Sequence, residues 1–231
     1  MVDSECMPGR LLPLVNGEIY HVFNRGIDGR PTFTGIREYE RVKELPRFYQ
    51  WNNLSTRYSV FAEWEIERQQ NFIKKVKSLG EPLVEIAAYC FMPNHFHMLL
   101  RQASNGGISK FLSNFQNSYT RYFNTKHRRL GPLFLDQFKV VRIEDENQLL
   151  HVSRYIHLNP YTGFVIKTID ELSTYPWTSF PEYLGSEKRE ICQKQILMEY
   201  FRGKAAFQSF VFNHADYQRR LVGISHLTFE G

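Results

Sequence analysis

The chain has 231 residues, 42% hydrophobic and 15% aromatic, with a formal charge of +5 and an isoelectric point near 9.0. That length buries one good core, and so aromatic a composition excludes a disordered chain. No apolar run approaches a membrane span, residues 1–13 lack the basic and apolar regions of a secretion signal, and the modest basic excess favours a polyanion without requiring one; the chain reads as cytoplasmic with no membrane partner.

Residues 18–24 (Glu18-Ile19-Tyr20-His21-Val22-Phe23-Asn24) read as a first strand ending at the Asn24-Arg25-Gly26 turn. Residues 31–57 are too long for a connection and too aromatic for a linker, and are expected to be an elaboration with short helices. From Tyr58 to Leu79 the spacing of Phe61, Trp64, Phe72, Val76 and Leu79 predicts one helix, closed by Gly80. Residues 89–100 then form two apolar strands around the Pro93-Asn94 turn. Ile108, Phe111, Leu112, Phe115, Tyr119, Tyr122 and Phe123 mark an amphipathic helix, and Leu133–Ile143 a further strand. A helix follows from Asp145 to Asn159, stopped by Pro160, and two more are expected over 187–202 and 204–222. The three cysteines, Cys6, Cys90 and Cys192, are too scattered for a disulfide framework or a CxxC site.

The order strand, helix, strand, strand, helix, strand gives an α+β, ferredoxin-like split β-α-β-β-α-β antiparallel sheet with helices on one face. On the second hairpin strand His95 and His97 point the same way and Phe96 the other, so two imidazoles share a face. Such a pair either holds a metal ion or is simply polar decoration of a strand end. His151, Tyr155 and Asn159 recur at i, i+4, i+8 on the last core helix, so all three could look into one site. If that helix packs beside the hairpin, the Asn159 amide oxygen is a third ligand and Tyr155 stands near the ion. Two imidazoles and an amide would accept Mn or Zn, whereas Mg prefers more oxygen.

Three segments in this order, Pro93-Asn94-His95-Phe96-His97, Gly131-Pro132-Leu133-Phe134 and Arg154-Tyr155-Ile156-His157-Leu158-Asn159-Pro160, resemble the IS200-like single-tyrosine transposases, in particular the group associated with repetitive extragenic palindromes (REP). The resemblance spans about residues 15–185. It implies a single-strand DNA endonuclease and strand transferase in which His95, His97 and Asn159 bind a divalent metal, Mg or Mn, and Tyr155 attacks a phosphodiester to give a 5′-phosphotyrosine intermediate. Single-stranded or hairpin DNA is the implied partner, and both a monomer and a homodimer that exchanges its tyrosine helices occur among the relatives. The implied organisation is a catalytic domain over 1–185, with an insertion at about 31–57 and a nucleophile-bearing helix, followed by a C-terminal helical appendage over 186–231.

By position alone Tyr155 reads as a packing residue, and it is the motif that reverses this. Tyr119 and Tyr122 lie on the apolar stripe and belong to the core. Arg121, Lys126, Arg128, Arg129, Arg142 and Arg154 are expected to contact the DNA backbone, and His151 and His157 to act as a base behind the metal ligands, to contact phosphate, or to face solvent. Trp177 is expected to pack under an aromatic loop at 174–180. Three rival functions stay open at this level: a domesticated hairpin-DNA binder without turnover, a related replication-initiator or relaxase nuclease, and a metallohydrolase that would tolerate Tyr155→Phe.

Overall fold

Alternation along residues 19–25 buries Tyr20, Val22 and Asn24 and leaves Ile19, His21 and Phe23 partly covered, the signature of a strand with two different faces. A computed structural model describes residues 13–187, 190–213, 215–216 and 218–219. In chain order the elements are β1 Ile19–Arg25, α1 Ile36–Tyr49, α2 Tyr58–Phe61, α3 Ile66–Ser78, β2 Val84–Met92, β3 His95–Gln102, α4 Gly107–Lys126, β4 Lys139–Arg142, α5 Glu146–Thr162, α6 Phe180–Leu184, α7 Gln195–Met198 and α8 Lys204–Phe212. The four strands form one antiparallel sheet in the order β2-β3-β1-β4. This is the split βαβ arrangement expected from the sequence, with β1 and β3 central.

The two sheet faces carry different partners. Phe96 and Phe91 point toward α4, where Phe115 meets both rings at 5.2 and 6.3 Å, and α1 packs alongside α4. The apolar stripe of α4 (Ile108, Phe111, Leu112, Phe115, Tyr119, Phe123) is buried throughout, and the Tyr119 hydroxyl donates to the Thr32 carbonyl at 2.6 Å. Tyr119 is thus a core residue, as its spacing requires. The opposite face receives α5, which packs on β2 and β3 and is covered in turn by α8.

Two local expectations are corrected. The helix pairing with α4 across the first face is α1, inside the stretch expected to be an elaboration, with Val42, Leu45 and Phe48 buried. Pro46 sits in its last turn, where a missing N–H costs a single intrahelical bond. The region expected as one helix from Tyr58 to Leu79 is broken into α2 and α3, because Phe61 and Phe72 both turn onto the Phe48 ring, at 4.8 and 6.1 Å. Gly80 follows α3 at φ +64°, the left-handed conformation that ends a helix.

The start of α5 is capped as its sequence predicts: Asp145 accepts from the Gln148 backbone N–H at 2.8 Å. Its end is not where Pro160 suggested. The helix continues to Thr162, whose hydroxyl donates back to the Leu158 carbonyl at 3.2 Å, while burial of Tyr161 and Thr162 holds the extra half-turn. Gly163 then lets the chain pass β2, since a Cβ there would meet Met92 Cε at 2.6 Å and the Asn159 carbonyl oxygen at 2.9 Å. The outer edge of β2 is covered by residues 177–179, with the Phe91 N–H donating to the Trp177 carbonyl at 2.9 Å. Trp177 stacks on Tyr39 at 4.9 Å, the packing role expected of it.

Of the two helices expected near the C-terminus, α7 and α8 are the observed parts; residues 188, 189, 214, 217 and 220–222 lie outside the described residues. Phe207 of α8 is fully buried against Tyr183 and His157. Cys90 and Cys192 are buried free thiols. Among the described residues no helix is long and apolar enough to cross a membrane.

Candidate active site

The face of the sheet that receives α5 carries His97, and the antiparallel register sets Phe23 of β1 opposite it. Two residues along on the same face of β1 lies His21. Its Nε2 is 3.0 Å from His97 Nδ1 and the rings stack at 5.1 Å. His95, two residues before His97, lies on the same face with its ring centroid 5.1 Å from that of His97. Its Nδ1 is 2.7 Å from Asn94 Oδ1, and Asn159 is its other hydrogen-bond partner.

Tyr155 projects from α5 over this group. Its ring stands edge-on to His97 at 5.3 Å and to His21 at 6.0 Å, and the residue is 44% exposed. One turn further on, Asn159 is buried, its Nδ2 donating to the Tyr155 carbonyl at 3.3 Å. The site therefore combines a half-exposed tyrosine with one buried imidazole, His97, and two partly buried ones, His21 and His95.

The imidazoles are held neutral. Burial pushes the His21 pKa down to about 4. His97 lies well below its ordinary value, through burial and then the neighbouring His21 and His95. Burial also lowers His95; its hydrogen bond with Asn159 works the other way, and the Arg25 charge lowers it further. Neutral rings present lone pairs, which is what a metal requires. Nδ1 of His95 faces Asn94 Oδ1 and Nδ1 of His97 faces His21 Nε2, which leaves Nε2 as the nitrogen through which either ring would bind a metal. Among the described residues no three His, Cys, Asp or Glu side chains cluster as a metal site. The donor set is therefore two imidazoles with an amide beside them, which fits a divalent ion that keeps oxygen ligands of its own.

His95, His97, Tyr155 and Asn159 are thus brought together, as the sequence anticipated. His151 is exposed one turn before Tyr155. His157 is neither solvent-facing nor near the site. It is 0% exposed among the rings of Phe180, Tyr183 and Phe207, with Nε2 2.8 Å from Ser179 Oγ, and burial pushes its pKa down to about 3. Arg154 also departs from expectation: it is 8% exposed, with its guanidinium 3.8 Å over the Phe210 ring, so the helix turns it under α8 and away from any DNA surface.

The other cations keep surface positions. Arg121, Lys126, Arg128 and Arg129 lie along or just beyond the outward side of α4, on the opposite sheet face from Tyr155, and Arg142 on β4 pairs with Glu18 at 2.9 Å. Lys126 is already shared with Glu38 at 2.6 Å, and Arg129 is tied to the Pro132 carbonyl at 2.8 Å. Two residues near the site escaped the sequence reading. His21 needed the β1–β3 register to be seen, and Arg25, exposed and directly across from His95, was read only as part of a turn.

The model of the family "Transposase IS200 like" matches residues 53–159, a span that includes His95, His97, Tyr155 and Asn159 and omits β1. Among solved structures the chain is similar to a REP-associated tyrosine transposase bound to a REP hairpin, at 14% identity and a TM-score of 0.52 over 80% of this chain and 90% of that one. That likeness is one of fold. A second, a candidate transposase from Deinococcus radiodurans R1, aligns at 16% identity and a TM-score of 0.34 over 65% of this chain and 95% of that one. No curated protein matches the chain.

Proposed function

From the family match at residues 53–159 we propose that this chain is an IS200-like transposase that nicks and rejoins single-stranded DNA beside hairpins, as a REP-associated enzyme with Tyr155 as nucleophile. The observation that carries this reading is a half-exposed tyrosine standing edge-on to the buried His97, with the partly buried His95 beside that ring. In the reaction Tyr155 Oη bonds to the phosphorus of a phosphodiester as the P–O3′ bond breaks. The tyrosine proton leaves to water on the exposed side, and the freed 3′ oxygen takes one up. The product is a 5′-phosphotyrosine, which a second strand's 3′-hydroxyl reverses without ATP, because the new ester retains the energy of the bond it replaced.

His95, His97 and Asn159 would hold a divalent ion, Mg or Mn, which would supply Lewis-acid stabilisation of phosphate charge there. His21 fixes the His97 ring through the hydrogen bond to its Nδ1. Asn159 supports the site twice, through His95 and through the Tyr155 carbonyl. Arg25, exposed beside His95, is placed to contact a phosphate oxygen, and Arg121, Arg128, Arg129 and Arg142 would contact the DNA backbone elsewhere, with Lys126 divided between DNA and Glu38.

The test is a denaturing gel assay with labelled single-stranded DNA carrying a palindrome from beside the gene, in Mg or Mn. A covalent protein–DNA adduct is expected with the wild type and none with Tyr155→Phe. Cleavage that survives in Tyr155→Phe would assign a different nucleophile, and specific binding with no adduct in either metal would mark a DNA-binding protein without turnover.

A further inference from the structure

The outward side of α4 is built for something other than solvent. Asn114, Asn117, Ser118, Arg121 and Thr125 recur at i, i+3, i+4, i+7, i+11, a polar stripe set against the buried apolar one. The twenty residues of α4 contain no Asp or Glu, in a chain with 24 of them. Ordinary solvated helix faces mix both signs, so an acid-free stripe of amides, hydroxyls and a guanidinium is a selected surface.

This stripe forms one wall of a cavity of about 540 Å³ between α1 and α4. Arg41 from α1 and Arg57 at the start of α2 complete it, and no acidic residue lines it. Arg41 is held between two rings, its guanidinium 4.3 Å from the Tyr58 centroid and 5.0 Å from that of Tyr122, and its buried Nε has no hydrogen-bond partner among the described residues. A guanidinium held between two rings, with its Nε buried and short of an acceptor, is preorganised for an anion. The cavity continues past Asn117, Arg121 and Thr125 into a shallower groove bordered by Arg128 and Arg129. The shape is therefore elongated, and the cations follow its length.

We propose that this cavity is a second DNA site, a phosphate-binding subsite that grips consecutive backbone phosphates of the bound strand on the sheet face opposite Tyr155, with Arg41, Arg57 and Arg121 as its anion ligands. The inference rests on the reading of the chain as a DNA-acting transposase but not on the identity of its nucleophile. Phosphate recognition by guanidinium, amide and hydroxyl donors carries no base information, so the subsite sets affinity and register rather than sequence. A strand that also reaches Tyr155 must pass around the edge of the sheet.

The experiment is fluorescence anisotropy with a labelled hairpin carrying single-stranded flanks, titrated over a range of salt, for the wild type and Arg57→Gln/Arg121→Gln. Removing two phosphate contacts should lower the slope of log K against log salt by about 1.4–1.8 and weaken binding roughly 14- to 30-fold at ~0.15 M salt, equally for unrelated hairpins. Arg41→Gln should act in the same direction; because Arg41 is packed between rings, the double variant, whose residues are exposed, carries the test if Arg41→Gln fails to fold. Lys74→Gln/Lys77→Gln on α3 removes the same charge outside the cavity and should leave the slope within about 0.3 of the wild type. A folded double variant with unchanged slope overturns the proposal, as does an equal loss in the α3 control. Stabilisation of the wild type by inorganic phosphate or a mononucleotide that the double variant loses, with DNA affinity unchanged, would reassign the cavity to a small anion and also overturn it. Absence of a Tyr155 adduct alongside an arginine-dependent slope would sink the nucleophile and leave this site standing.

Discussion

Lowering the pH from 7 to 5 should destabilise the protein through His157, a group that takes no part in the chemistry. The ring is fully enclosed where α5 meets α6 and α8, and its pKa is about 3 against an ordinary 6.5. A histidine whose folded pKa is depressed contributes stability that is fully present above its unfolded pKa and is lost as the pH falls from 6.5 toward 3, because only the unfolded chain takes up the proton. Between pH 7 and pH 5 the proton-linkage relation gives a loss of about 2 kcal/mol from this residue alone. Urea denaturation in metal-free buffer at the two pH values would measure it, in the wild type and in His157→Gln. His21, pushed down to about 4, adds acid sensitivity of the same sign to both proteins, so the difference between their pH dependences isolates His157. The variant should lose about 2 kcal/mol less than the wild type on acidification. Equal losses would refute the claim that His157 is buried as a neutral ring.

His21→Ala should weaken Mn binding at His95 and His97 about 10- to 100-fold in a calorimetric titration, since it removes the hydrogen-bond partner that orients His97; unchanged affinity would deny His21 that role. Arg154→Met should leave the salt dependence of DNA binding as it is, because the guanidinium is spent on Phe210, and a slope reduced by about 0.7–0.9 would return Arg154 to the DNA surface.

What was legible in the sequence is what local periodicity can report. Strand alternation placed His95 and His97 on one face, and the i, i+4 spacing aligned Tyr155 with Asn159, since each relation is fixed by the geometry of a single element. Helical geometry also separates two of the expected site residues from Tyr155. His157 lies about 200° around α5 from Tyr155, which points it into the core, and Arg154 is rotated about 100° away, toward α8. His21 was beyond local reasoning, for its place beside His97 exists only once β1 pairs with β3. Helix α1 was obscured by Pro46 and by its high charge, and its apolar positions make sense only against α4.

The tyrosine helix is clamped by its own chain, with the sheet beneath it and α8 across its back. In this structure Tyr155, the proposed nucleophile, and the histidines therefore meet within a single polypeptide, so the proposed reaction is expected to run without a swap of helices between two copies. Nicking should accordingly be first order in protein, with the rate per molecule constant as the protein is diluted to the lowest concentration at which it still binds DNA. A cell carrying very few copies would lose none of the activity per copy, a kinetic independence that an enzyme assembled from exchanged helices does not have.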